Sequence, residues 1–150
     1  MAVRLAAASQ DLLAAVSLGD AERVAALLAA GADAEERDAA TGYTALHVAA
    51  LSPADNAADL AALLVDAGAP LDSADDAGRT PLHAAARVGS VAVTRWLIAN
   101  GADTKRVDHD GRTALELAID HNYDPVLEVF RSFRLTSHVA SDAGVDSEPV

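Results

Sequence analysis

Thr80-Pro81-Leu82-His83-Ala84-Ala85-Ala86 reads as the start of a helix. Thr80 is of the type that caps free backbone N–H groups, and Pro81 at the first helical position gives up a donor that has no partner there. Leu82, Ala85, Ala86 and Gly89 then fall at i, i+3, i+4 and i+7, one narrow face of mostly small side chains. Such a face buries little area alone and stabilises only when a second helix comes very close. The stretch predicts a neighbour of the same kind, and the chain supplies several.

Aligned on Leu82, the leucines Leu12, Leu46, Leu82 and Leu115 recur at separations of 34, 36 and 33 residues. Gly31-Ala32-Asp33, Gly68-Ala69 and Gly101-Ala102-Asp103 follow the first three. Gly42-Tyr43-Thr44, Gly78-Arg79-Thr80 and Gly111-Arg112-Thr113 precede the last three. Three independent markers in one order and near-constant spacing define an internal repeat. Each unit also carries a second apolar helix pattern: Val24, Leu27 and Leu28; Leu60, Leu63 and Leu64; Val93, Trp96 and Leu97; Val126, Val129 and Phe130. Gly31, Gly68 and Gly101 are placed to stop these helices. The dozen or so Asp- and Gly-rich residues before each next Thr suit a turn.

Thr44-Ala45-Leu46-His47-Val48-Ala49-Ala50 and Thr80 to Ala86 resemble the signature of ankyrin repeats, with Thr113-Ala114-Leu115-Glu116-Leu117-Ala118 a weaker copy that has Glu116 in the His place. The resemblance covers about residues 8–134. It implies an all-α, ankyrin-type helix–turn–helix solenoid with short β-turn fingers, and a non-catalytic module that binds another protein. The expected organisation is a repeat domain over 1–134, in units of about 8–35, 36–72, 73–105 and 106–134, then an acidic, disordered tail over 135–150. Arg23 is read in the register of Leu60, Val93 and Val126, a charge suited to a capping unit; the fourth unit, with Glu116, Asp120, His121 and Asn122, is read as the other cap. Three extra residues fall at Pro53-Ala54-Asp55 and one near Ala39-Ala40-Thr41. In the tail, Leu135 and Val139 could fold back on the last helix.

Composition sets outer bounds. Half of the 150 residues are apolar (51%) but only 3% are aromatic, so the core is Leu, Val and Ala, which suits closely packed helices. The absence of Cys excludes disulfides, a thiol nucleophile and thiolate metal sites. A net charge of −12 argues against non-specific binding to nucleic acid or an anionic membrane. Ser9-Gln10-Asp11 interrupts the apolar start, which rejects a secretory signal and leaves a cytoplasmic protein as the expectation. Lys105 is the single lysine beside ten arginines, and with the Ala and Asp excess this points to a GC-rich genome; the expected family member is small, bacterial and monomeric.

Several chemistries are sought and fail. His47 and His83 hold equivalent places in successive units, about 8–10 Å or more apart, whereas one zinc needs both ligands at about 2.0–2.1 Å; in the family this His serves the turns. Asp108-His109-Asp110-Gly111 with Glu116 resembles half a calcium loop, but Arg106 stands where the first Asp belongs and Glu116 comes one residue early. No phosphate-binding glycine pattern or nucleophile elbow occurs, so no cofactor, metal or catalytic residue is assigned.

In ankyrin-like proteins the binding strip consists of the turn tips and the first helix of each pair, on the concave side. Carried over by position, it holds Arg37, Tyr43, Arg79, Arg87, His109 and Arg112. Arg and Tyr combine contact area with directional hydrogen bonds, so a basic strip on an acidic body suggests a partner presenting carboxylates. Local pairing of these arginines with turn aspartates is the plain alternative. A second reading makes the acidic body the active surface, as in an inhibitor or immunity-type protein that neutralises a basic partner.

Overall fold

The computed structural model describes the backbone of residues 2–146 and the side chains of residues 10–135. Eight helices form four pairs joined by short turns: α1 (Ala2–Ser17) with α2 (Ala21–Ala29), α3 (Ala45–Leu51) with α4 (Ala57–Asp66), α5 (Pro81–Val88) with α6 (Val91–Ala99), and α7 (Ala114–Asp120) with α8 (Asp124–Asp146). First helices pack on first helices, α1 on α3, α3 on α5 and α5 on α7. Second helices make a parallel row, α2 on α4, α4 on α6 and α6 on α8. No β-strand occurs among the described residues. The all-helical solenoid anticipated from the repeat is therefore present.

The same local chemistry starts the second, third and fourth pairs. Thr44, Thr80 and Thr113 are the N-caps of α3, α5 and α7, with Pro81 in the first turn of α5. α5 ends on Gly89 in the left-handed conformation (φ 74°), a backbone state costly for residues with a Cβ. Asn122 holds the matching place after α7 with φ 56°, the one described non-glycine residue at positive φ, and Asn is the side chain that tolerates it best.

Leu12, Leu46 and Leu82 are sealed in the core, and Val24, Leu60, Val93 and Val126 are all at 0% exposure in the second-helix row. This corrects the register assigned to Arg23: Val24 holds the buried place and Arg23 is the exposed residue before it. On a helix, adjacent residues are a hundred degrees or so apart, so a one-residue slip exchanges a core position for a solvated one.

The three-residue insertion lies between α3 and α4, in the loop 52–56. It is anchored: Ser52 Oγ accepts from the Ala54 N–H (3.2 Å), and Asn56 Nδ2 donates to the Gly19 carbonyl of the first unit (2.9 Å). α8 runs on past residue 135 to Asp146. No proline interrupts residues 126–146. Leu135 does not fold back; it lies within α8 and is 66% exposed. The Val139 side chain and residues 147–150 lie outside the described residues. No described helix is long and apolar enough to cross a membrane.

Candidate partner-binding surface

Between successive pairs the chain makes a hairpin finger, and an aspartate builds each one. In the second finger Asp75 N–H donates to the Arg79 carbonyl (2.8 Å), while Asp75 Oδ1 accepts from the N–H groups of Ala77 (2.8 Å) and Arg79 (2.9 Å). Asp108 repeats this with Arg112 O (2.9 Å), Asp110 N–H (2.9 Å) and Arg112 N–H (3.0 Å). The first finger spans Asp38 to Tyr43, one residue longer as expected, with Asp38 Oδ2 accepting from the N–H and hydroxyl of Thr41 (2.9 and 2.7 Å). A short polar side chain that bonds the backbone two to four residues ahead is the usual way to fix such a turn.

The fingers are bonded to one another. Asp76 N–H donates to Thr41 O (3.2 Å) and His109 N–H to Ala77 O (2.9 Å). Gly78 permits the second contact: a Cβ there would stand 2.5 Å from His109 Cδ2 and 3.0 Å from its backbone nitrogen. The equivalent Gly111 has nothing within 4 Å among the described residues.

The histidines join fingers to helices. Thr80 N–H approaches His83 Nδ1 at 3.1 Å, and His83 Nε2 lies 3.0 Å from the Arg112 carbonyl of the next unit. An N–H can only donate and a carbonyl only accept, so Nδ1 is the acceptor and Nε2 carries the proton. His47 does the same with Thr44 N–H (3.2 Å) and Arg79 O (2.8 Å). Burial pushes both imidazoles below the usual histidine value, against the opposing pull of the carbonyl and of the nearby Asp75 or Asp108. Glu116 keeps the inner half of this arrangement, accepting from Thr113 N–H at 2.7 Å, but a carboxylate has no proton for a carbonyl.

The expected strip residues occupy this surface with different degrees of freedom. Arg37 donates to the Ala74 carbonyl, tying the first finger to the base of the second. Tyr43 is half-buried and stacks on His47, centroids 5.6 Å apart and planes at 9°. Arg87 sits in the last turn of α5 with no ion pair among the described residues. His109 is exposed, its ring against Gly78.

Arg79 and Arg112 converge on one turn aspartate, Asp108. Their Nε atoms lie 3.8 and 3.9 Å from Oδ2 of Asp108, which is buried. Arg112 also meets Asp110 (3.2 Å) and Asp120 (3.3 Å). Burial raises the Asp108 carboxyl, but the Arg112 and Asp110 N–H donors, then the Arg112 guanidinium and His83, outweigh it and hold the group below its ordinary value. The signal was the recurrence of Asp at 38, 75 and 108; that the third would serve an arginine of the preceding unit needs the stacking geometry. No cluster of three or more metal-binding side chains occurs among the described residues.

A family model for ankyrin repeats matches residues 12–108 and 54–134. The Neurogenic locus Notch protein of Drosophila melanogaster is 41% identical over 99 residues, 65% of this chain and 4% of that protein. Protein phosphatase 1 regulatory subunit 27 of Homo sapiens is 38% identical over 91 residues, 61% of this chain and 56% of the other. Its Mus musculus counterpart is 34% identical over 113 residues, 75% of this chain and 71% of that one. The chain thus spans a small part of the Notch protein and just over half of the human subunit. Repeat spacing, paired helices, hydrogen-bonded fingers and these matches agree: the chain belongs to the ankyrin-repeat family.

Proposed function

We propose that this chain is a cytoplasmic, monomeric, non-catalytic module that binds another protein through the strip of finger tips and first helices. The observation that carries this reading is the bonding of the three fingers into one ladder, which holds Tyr43, Arg79 and Arg112 at matching places with little left to order on binding. Membership of a family of protein-interaction repeats supports it, as do relatives named as phosphatase regulatory subunits. Tyr43 and Arg87 are the best anchors, because Arg37 and Arg112 already donate to internal acceptors and Arg79 is ion-paired with buried Asp108. Reversing Arg79 and Arg112 to Glu is a poor probe: it sets two carboxylates beside buried Asp108 and would unsettle the fold.

The test is affinity capture from native extract with wild type beside Tyr43→Ala/Arg87→Glu, followed by affinity measurement on the captured protein. A loss of at least tenfold, about 1.4 kcal/mol, is expected. Unchanged affinity in the double variant removes the strip. The neutralised state of Arg79 and Arg112, on a chain of net charge −12, favours a second reading in which the acidic body binds a basic partner. Under that reading affinity falls steeply with salt and ignores the double variant.

A further inference from the structure

In the first three units the residue four places after the aligned leucine is Val16, Ala50 or Ala86, each at 0% exposure, with the first helix of the following unit packed alongside. In the fourth unit this residue is Ile119, and it is 51% exposed. Leu115 is likewise only half-buried where Leu12, Leu46 and Leu82 are sealed. Leu115 and Ile119 of α7 and Leu127 and Phe130 of α8 line a groove, which continues past Thr113 to Lys105 and Arg134 as a cleft of about 350 Å³. A unit that ends a stack is expected to turn polar residues outward. The fourth unit exposes Glu116, Asp120, His121 and Asn122, and beside them an apolar surface that a polar cap does not need.

Two features say what fits there. The surface is the one that accepts an α-helix in each earlier unit, beside Val16, Ala50 or Ala86, and α8 runs on to Asp146 where the earlier second helices stop after 9 or 10 residues and give way to a finger. The edges are basic in a chain of net charge −12. Arg37, Arg79, Arg106 and Arg112 are engaged by internal acceptors and Arg131 by Glu128 (2.7 Å), whereas Lys105 and Arg134 have no ion pair among the described residues. We propose that the open end of the fourth unit receives an amphipathic α-helix of another protein. Its apolar ridge enters the groove between α7 and α8, and Asp or Glu on its flank meets Lys105 and Arg134. This surface is separate from the finger strip and does not depend on it.

The probe is a fluorescein-labelled synthetic helix with a Leu ridge and Glu flanks, beside an isomer with Lys flanks, titrated with the full chain by fluorescence anisotropy. The Glu-flanked helix is expected to bind, and Ile119→Glu and Arg134→Glu each to weaken it about tenfold or more. Ile119→Ala, the residue type of the inner units, should also weaken binding while far-UV circular dichroism and the melting temperature stay as in wild type. Arg23→Glu, an equal charge reversal on exposed α2, should change nothing. Absence of binding, equal binding of the Lys-flanked isomer, or wild-type affinity in Ile119→Ala and Arg134→Glu overturns the proposal. So does sedimentation showing a dimer that Ile119→Glu dissociates, since the occupant is then a second copy. Tyr43→Ala/Arg87→Glu leaves the probe unaffected, so failure here and failure of the finger strip are read separately.

Discussion

Replacing His83 offers the sharpest test of how the units are joined. His83→Ala leaves the buried Thr80 N–H without its acceptor at 3.1 Å, takes one of two donors from Arg112 O, and opens a void the size of the ring. An orphaned buried N–H costs about 1–3 kcal/mol and a lost hydrogen bond about 0.5–1.5 kcal/mol. With partial collapse of the void, a loss of about 3 kcal/mol is expected, or about 6–12 °C in melting temperature for a chain of this size. His83→Gln should lose about 1 kcal/mol, because its amide can accept from Thr80 and donate to Arg112 at once. His83→Glu copies Glu116 and so keeps the Thr80 cap, but turns a carboxylate toward a carbonyl. Near neutral pH it should fall with Ala, and it should recover toward about pH 5, where the protonated carboxyl can donate. Urea unfolding followed by Trp96 fluorescence gives all three values, the single tryptophan being half-buried in the neighbouring α6. If Ala and Gln are equally costly, or if Glu weakens on acidification as wild type does, the bond to the next unit is not what His83 contributes.

Other outcomes follow from the same geometry. Leu82→Ala should cost about 2–5 kcal/mol in urea unfolding, the range for a fully buried leucine, and a loss well below this would place Leu82 outside the core. Gly78→Ala and Gly111→Ala share nearly the same positive φ (75° and 76°), but only the first drives a Cβ into His109, so Gly78→Ala should melt several degrees lower; equal melting temperatures would deny the finger-to-finger contact. Wild type should lose stability on acidification in two stages. His47 and His83 titrate below 6.5 in the fold, so the unfolded chain takes up protons first, and stability present above pH 6.5 declines as pH falls through that value. Asp38 and Asp108, held below 3.8, add a second loss once pH drops past that point. A melting temperature flat from neutral pH to about pH 5 would contradict the histidine part.

The fold was legible because close helix packing imposes its demands on every unit: a Thr cap, a Leu and Ala face, and a Gly after the second helix recur in phase. The candidate strip was legible only as a set of positions. Nothing in one unit reveals that Arg79 will be met by Asp108 of the next, since the 3.8 Å approach arises only when the units are stacked. The ends were the least legible part. Val24 and Arg23 are adjacent in a short helix where a one-residue shift still gives an acceptable apolar pattern, and Ile119 looks like core until one asks what lies beyond it. Polar letters at 116 and 120–122 suggested a cap, and all four are exposed, but Ile119 is exposed and Leu115 half-buried among them.

The histidine bonds also give the stack a direction. Each imidazole caps a helix of its own unit with one nitrogen and spends the other on the unit that follows, so a unit's helix start is complete only when its successor is in place. Cutting the chain at a repeat boundary removes more than the discarded segment: truncation before Asp108 leaves His83 with a proton and no carbonyl for it. The cooperative segment therefore runs from one Thr cap into the next finger, straddling the boundary that sequence periodicity draws.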